Sequence, residues 1–156
     1  MVKENEKKAL KIDSATAKIL LSPDYKPSED EDFMNAFQIE YFRRKLNEWK
    51  KDLLVESSET LDLLRQDNLA SADANDRASM ETEHGLELRT RDRYRKLIAK
   101  IDESLRTMDT GEYGYCEVSG EKIPLERLEA RPTASMTVFS QEAYERGERT
   151  RKDDRE

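Results

Sequence analysis

The apolar residues between positions 39 and 53 constrain the fold most strongly. Their three- and four-residue steps are those of a coiled coil or packed helix, and the residues are Ile39, Phe42, Leu46, Trp49 and Leu53. A second series at similar steps consists of Tyr94, Leu97, Ile101, Leu105 and Met108. The segment between them, 68–76, is rich in Asn, Ser and Asp, which favour turns and helix N-caps. These patterns predict two long helices joined by one short break.

The composition limits the size of the core. Of 156 residues, 40% are charged and 35% hydrophobic, whereas a large globular core needs about 45% apolar residues. Only 5 Gly and 4 Pro are present, too few for the turns of a many-stranded sandwich or barrel. An antiparallel arrangement of the two helices would bring both apolar series together at one end, the base. We therefore expect an α-helical rod with a packed base and a polar tip.

Changes in composition and apolar spacing divide the chain into four segments. In order they are an N-terminal arm, partly disordered, at 1–32; a helical region with the hairpin at 33–108, its tip at about 68–78; a small module at 109–141; and a C-terminal helix with a frayed tail at 142–156. Short helices are expected over 13–21 and from Pro124 to Ala130, and a short strand near Tyr115. Ser140 is expected to cap the last helix.

Charge, cysteine content and motifs exclude several classes of function. The net charge of -7 disfavours autonomous binding to duplex DNA, because that affinity depends on neutralised phosphates. No catalytic triad order, phosphate-binding loop or nucleotide fingerprint is found, so we do not expect an enzyme. No apolar run is long enough for a leader or a membrane span, and the single cysteine, Cys116, fits a reducing compartment. We expect a cytoplasmic protein.

Two groups of charged residues are candidate functional sites. Asp73 and Asp76 are, from the residues alone, helix-start residues that favour a helix N-terminus. The stretch 89–100 holds six basic residues against one acidic residue, Asp92. Arg89, Arg93, Lys96 and Lys100 share one helix face. That face is either a solvated surface paired across the hairpin with Glu48, Glu56 or Glu59, or a contact surface for a partner.

Four motifs in register resemble the DksA branch of the DksA/TraR family. They are Asp73–Ala78 (DANDRA), Leu86–Arg93 (LELRTRDR), Gly114–Cys116 (GYC) and Leu125–Ala134 (LERLEARPTA). The resemblance implies an all-α-dominated fold, with a long antiparallel coiled-coil hairpin, a small zinc-ribbon-like module and a C-terminal helix. It also implies a monomeric bacterial regulator that enters the secondary channel of RNA polymerase. Such a regulator acts with ppGpp in the stringent response and does not bind DNA sequence-specifically.

The resemblance also assigns roles to individual residues. It places Asp73, Asp76 and Ala78 at the tip, facing the polymerase active centre, and makes Arg89, Arg91 and Arg93 polymerase contacts. The positions that would contact ppGpp together with polymerase are Leu97, Lys100 and Arg131. A fourth such position, usually Lys, is Gln141 here. Because one cation is missing, we expect a weakened but retained ppGpp response.

The family's four zinc-binding cysteines are the main departure. The corresponding positions are Cys116, Ser119, Thr137 and Ser140. Neutral hydroxyls are poor zinc ligands, so the sequence predicts no structural zinc, with the apolar residues of the module replacing its stabilisation. Those residues include Ile123, Leu125, Leu128, Val118, Val138 and Phe139. Cys116 is then either a small buried hydrophobe or a redox-sensing thiol.

Two other functions stay open at this point. A transcript-cleavage factor of the same channel would also place acidic side chains at a coiled-coil tip, where they help to hold Mg²⁺. A general helical adaptor would use the tip only as a turn. Binding to polymerase separates the adaptor from the other two, and RNA release from backtracked polymerase separates the cleavage factor.

Overall fold

Long helices dominate the part of the chain that the structure describes. The structure is a computed structural model that describes residues 14–70 and 77–153. The helices in this part are α1 (Ser14–Leu20), α2 (Ala36–Ala70), α3 (Arg77–Thr110), α4 (Leu125–Ala130) and α5 (Val138–Asp153). The predicted hairpin and the short helices near 13–21 and 124–130 are thus confirmed. Helix α2 continues to Ala70, through the first residues of the break predicted at 68–76, and residues 71–76 lie outside the described residues.

Helices α2 and α3 run antiparallel as one hairpin, called the rod below. Arg43 Nη2 lies 2.8 Å from Asp109 Oδ1, and Lys50 Nζ lies 2.6 Å from Asp102 Oδ1. Seven residues forward on α2 thus correspond to seven residues back on α3, the register of an antiparallel pair. With 35 and 34 residues, each helix is about 50 Å long.

The core lies at the base of the rod, as the apolar spacing predicted. Phe42, Leu46 and Ile101 are fully buried there, together with Ile123 and Leu128 from the module that follows α3. Burying each such side chain contributes about 1.5 to 3 kcal/mol. Farther along the rod, apolar side chains are half exposed or more: Leu54, Val55, Leu63, Leu86 and Leu88. The base therefore holds the fold, and the rest of the rod is a solvated surface.

The arm before α2 is attached to the rod through α1. Ala17 and Leu21 are buried. Arg44 on α2 donates to the backbone oxygens of Lys18, at 2.6 Å, and Leu21, at 3.4 Å. These contacts satisfy carbonyls at the C-terminal end of α1 that the helix itself leaves unbonded. The described part of the arm thus packs on the rod through α1. Partial disorder was predicted over 1–32, and residues 1–13 of that range lie outside the described residues.

Residues 28–35 form a strap that ties the arm to the start of α2. The fully buried Gln38 accepts from the Met34 N–H at 2.8 Å and donates to the Ser28 oxygen at 3.0 Å. Asn35 Oδ1 accepts from the Gln38 N–H at 3.0 Å, which is the N-cap arrangement. Met34 has a φ of 53° and lies against Gly114, so the strap also reaches the module after α3.

The module at 111–137, called the ribbon, is held by short-range backbone pairing. The Cys116 N–H donates to the Glu121 oxygen and the Ile123 N–H to the Gly114 oxygen, both at 2.8 Å. Tyr115 and Lys122 form a single antiparallel bridge, so the strand expected near Tyr115 is reduced to one residue pair.

The last helix differs from the prediction at both ends. It begins at Val138 rather than at 142, because Thr137 Oγ1, not Ser140, accepts the capping bond: the Ser140 N–H lies 3.3 Å from it. It continues to Asp153 through the region expected to fray. Val118, Val138 and Phe139 were expected to fill the ribbon but are 65%, 52% and 81% exposed. Within the described ranges, no helix has both the length and the apolar character to cross a membrane.

Candidate functional site

The basic face of α3 lines an open groove of about 290 Å³. Its walls carry Arg89, Arg93, Lys96 and Lys100, together with Asp92 and Leu97. Asp92 lies 2.6 Å from Lys96 and 2.8 Å from Arg95; hydrogen bonds from these two side chains, Lys96 first, hold the pKa of the Asp92 carboxyl below its usual value. The third predicted polymerase contact, Arg91, pairs instead with Glu87 at 3.3 Å.

Arg89, Arg93 and Lys100 are the cations of this face that stay available. Among the described residues, none of the three takes part in an ion pair, and all three side chains are exposed. The neighbouring basic residues Arg91, Arg95 and Lys96 are paired, but their acidic partners, Glu87 and Asp92, lie on α3 itself. The geometry therefore favours a surface open to an anionic partner over one neutralised across the hairpin.

A larger cavity of about 600 Å³ opens between α3 and the ribbon, and we call it the base cavity. Lys100 lines it from the rod, Arg131 from the loop after α4, and Gln141 and Tyr144 from α5. Three of the four positions expected to contact ppGpp thus meet at one cavity. The fourth, Leu97, lines the adjoining groove, which shares Lys100 with the cavity.

The base cavity is mixed in charge. Glu103, Glu112 and Glu117 line it beside three basic residues, Lys100, Arg127 and Arg131. Gln141 Nε2 donates to Glu145 Oε1 at 2.7 Å, so the neutral amide that replaces a lysine is itself bonded to a carboxylate. An anionic ligand here would be held by Lys100 and Arg131, which are the cations at the matched positions.

The four positions that the resemblance matches to zinc-binding cysteines lie together where the ribbon meets the first turn of α5. Cys116 is buried, and Thr137 Oγ1 donates to Ser140 Oγ at 3.1 Å. Burial raises the pKa of the Cys116 thiol, but hydrogen bonds from Ser119, Ser140 and the backbone at 119 and 137 outweigh it and lower the pKa to about 6. The burial of Cys116 agrees with its reading as a small buried side chain, whereas the lowered pKa is a property that the sequence did not indicate.

Of the three residues predicted at the tip, Asp73 and Asp76 lie outside the described residues. Ala78 lies in the first turn of α3. The predicted role of these three residues therefore stays a prediction.

Sequence reasoning missed several residues that shape the base cavity. Tyr144 lines it from α5, and Tyr113 lines it from the turn after α3. Both are aromatic residues in polar stretches, which is the only signal they give in the sequence. Their importance depends on how the ribbon folds back on the rod, and spacing along the chain does not reveal that.

The fold and the site define a class of protein: a solvated helical rod with a ribbon-like module at its base and a cavity of mixed charge where the two meet. Comparison with known proteins narrows the class. The family described as "DnaK suppressor protein DksA, N-terminal domain" matches residues 38–108, and the "Prokaryotic dksA/traR C4-type zinc finger" matches residues 111–146. The chain belongs to the DksA family.

Individual relatives agree with this assignment. A Caulobacter vibrioides protein named "RNA polymerase-binding transcription factor DksA" is 57% identical over 140 residues, which cover 89% of this chain and 99% of the relative. The protein of the same name from Escherichia coli K12 is 41% identical over 114 residues, 73% of this chain and 76% of the relative. The solved structure of transcription factor DksA2 from Pseudomonas aeruginosa is similar with a TM-score of 0.69 and 35% identity, covering 80% of this chain and 94% of that one.

The prediction that the protein has no zinc is wrong on this comparison. The match over residues 111–146 is to a C4-type zinc finger, which points to zinc binding. The side chains here are nevertheless not a four-cysteine set: one thiol stands with three hydroxyls, and the described part of the chain contains no group of three or more His, Cys, Asp or Glu that could hold a metal. These residues do not fit a four-thiolate zinc site, and no step of the function below depends on zinc.

Proposed function

We propose that this protein is a transcription regulator that binds RNA polymerase through its secondary channel and acts with ppGpp to modulate initiation. Membership of the DksA family supports the proposal, as do relatives named RNA polymerase-binding transcription factors. The observation that carries the ppGpp part is the meeting of Lys100, Arg131 and Gln141 at the base cavity.

The rod suits insertion into a water-filled channel. It is about 50 Å long, and most of its described side chains beyond the base are exposed or half-buried, polar and charged residues alternating with a few apolar ones. A surface of this kind stays soluble when the rod is free and can exchange water for polar contacts when it is bound. In the proposed complex, the tip carboxylates Asp73 and Asp76 approach the polymerase active centre, and Arg89, Arg91 and Arg93 contact the channel wall.

The base cavity is suited to form one side of a ligand site that this protein shares with polymerase. Lys100 and Arg131 supply two cations from two different elements, and the open side of the cavity leaves room for the partner to supply others. Charge-assisted hydrogen bonds of this kind are the main means of binding phosphate groups. With Gln141 in place of a lysine, the ligand loses one cation, so we expect the response to need more ppGpp than in relatives that keep the lysine.

The mechanism needs no covalent chemistry by this chain. Binding that is stronger to one state of the promoter complex than to another shifts the balance between them. If ppGpp binds between the two proteins, it must tighten their complex by the same factor by which the complex tightens ppGpp, because the linkage is reciprocal. The chain would accordingly act as a monomeric, cytoplasmic, non-enzymatic regulator without sequence-specific DNA contacts.

Affinity for purified core polymerase tests this proposal. Arg93 is exposed on the basic face, so Arg93→Glu should weaken binding by about tenfold or more through like-charge repulsion and lost contacts, whereas Arg93→Lys, which keeps the charge, should bind much better than Arg93→Glu. Absence of binding by the wild-type protein would contradict the proposal. Release of RNA fragments from backtracked polymerase would instead favour the transcript-cleavage function.

A further inference from the structure

We propose that Tyr113 is a positioning residue that holds Arg131 across the base cavity from Lys100, and thereby sets the ppGpp response; the inference rests on the proposed function. Tyr113 follows α3 in a turn in which its N–H donates to the Thr107 oxygen at 3.1 Å. Its side chain is only 5% exposed. Its position is therefore fixed at the point where the rod ends and the ribbon begins.

The side chain of Tyr113 joins two separate parts of the fold. Its ring packs against the Phe42 ring of α2, with 5.8 Å between the ring centroids and an interplanar angle of 51°. Its hydroxyl donates to the Pro132 backbone oxygen at 2.8 Å. Pro132 is buried and directly follows Arg131. One side chain thus connects the rod with the loop that carries a proposed ligand residue.

Two of the other backbone bonds of this loop are local. The Arg131 N–H donates to the Arg127 oxygen at 2.8 Å, and the Ala134 N–H donates to the Arg131 oxygen at 3.0 Å. The Glu117 N–H donates to the Ser135 oxygen at 2.9 Å, which ties the loop to the ribbon but not to α3. The Tyr113 bond spans 19 residues of sequence and joins the loop to the turn that ends the rod.

The distance between the loop and α3 matters because Lys100 and Arg131 are carried by different parts of the fold. Lys100 is carried by α3 and Arg131 by the ribbon loop, so they can grip one phosphate ligand together only while loop and rod keep their spacing. Gln141 supplies no charge that could compensate for a displaced Arg131. The hydroxyl of Tyr113 is therefore expected to affect effector binding more than it affects binding to polymerase.

The test is Tyr113→Phe, which removes one oxygen and keeps the ring. The concentration of ppGpp that gives half of its maximal effect on transcription in vitro should rise at least about fivefold, because Pro132 O loses its bond and the loop is released. The amount of protein needed for half-maximal inhibition without ppGpp should stay the same. Adding Gln141→Lys should restore much of the response, since it supplies a new cation at the same cavity.

The matched control is Tyr41→Phe, which removes a hydroxyl that donates to Glu129 Oε1 at 2.9 Å, outside the base cavity. It should leave the ppGpp response unchanged. Hydrogen exchange of residues 131–136 without ppGpp should quicken in Tyr113→Phe and not in Tyr41→Phe. Unchanged exchange, or an unchanged ppGpp response in Tyr113→Phe while the wild type responds, would overturn the inference alone. A wild-type protein that does not respond to ppGpp would overturn the proposed function with it.

Discussion

The contact between Met34 and Gly114 predicts a specific pattern of stability. Gly114 has a φ of 89°, and a Cβ added there would lie 2.8 Å from Met34 Cγ and 2.9 Å from Met34 Cε. Gly114→Ala therefore has two costs. Left-handed backbone costs a residue with a Cβ about 1 to 2 kcal/mol, and overpacking against Met34 adds about 1 to 3 kcal/mol. The free energy of unfolding should fall by about 2 to 5 kcal/mol.

A second glycine separates the two costs. Gly111 has a φ of 81°, but a Cβ there would meet no atom within 4 Å. Gly111→Ala should therefore show only the backbone cost, about 1 to 2 kcal/mol. Met34→Ala removes the three atoms nearest to the new Cβ, so Gly114→Ala should cost about 1 to 3 kcal/mol less in that background than in the wild type.

Urea unfolding followed by far-ultraviolet circular dichroism gives all the values on one scale. The wild type, Met34→Ala, Gly114→Ala and the double variant form a double-mutant cycle, and Gly111→Ala is measured beside them. A coupling energy near zero, or equal costs at Gly111 and Gly114, would refute the steric contact. The strap would then not be packed against the ribbon as described.

Three further predictions concern stability and titration. Gln38→Leu should cost about 2 to 5 kcal/mol in urea unfolding, because two partly buried backbone groups lose their bonds to a buried amide; a cost below about 1 kcal/mol would contradict the role of the strap. The ultraviolet absorbance of the Cys116 thiolate should titrate with a midpoint of about 6, and a midpoint near 8.5 would contradict the lowered pKa. Because the thiol pKa is lower in the folded state, the stability that the thiolate adds relative to Cys116→Ser should be full above pH ~8.5 and should be lost as the pH falls through 6. Asp102→Asn, which breaks an exposed pair with Lys50, should cost only about 0.2 to 1 kcal/mol and less at high salt; a larger, salt-independent cost would argue against an exposed pair.

Periodicity was sufficient to predict the rod. Apolar side chains at three- and four-residue steps can be buried together only on one helix face, so Phe42, Leu46 and Ile101 were placed in the core correctly. The meeting of Lys100, Arg131 and Gln141 followed from the resemblance rather than from spacing, because they belong to three different elements.

The parts that sequence reasoning missed depend on contacts between distant segments. Gln38 is polar and stands beside the apolar series, yet it is fully buried because its amide bonds the strap backbone. Phe139 is apolar and yet 81% exposed, because the cap at Thr137 starts α5 earlier and leaves this residue outside the ribbon core. Local sequence patterns predict which segments are apolar and where turns occur. Which side of the ribbon faces the rod depends on tertiary packing, which those patterns do not contain.

The lifetime of complexes between RNA polymerase and a ribosomal promoter tests the central claim most directly. It is measured with purified polymerase, with and without this protein and ppGpp. We predict that the protein shortens the lifetime, that ppGpp strengthens the effect, and that Arg131→Ala loses most of the strengthening while it keeps the effect of the protein alone. A lifetime that does not change at saturating protein, with or without ppGpp, would contradict the account.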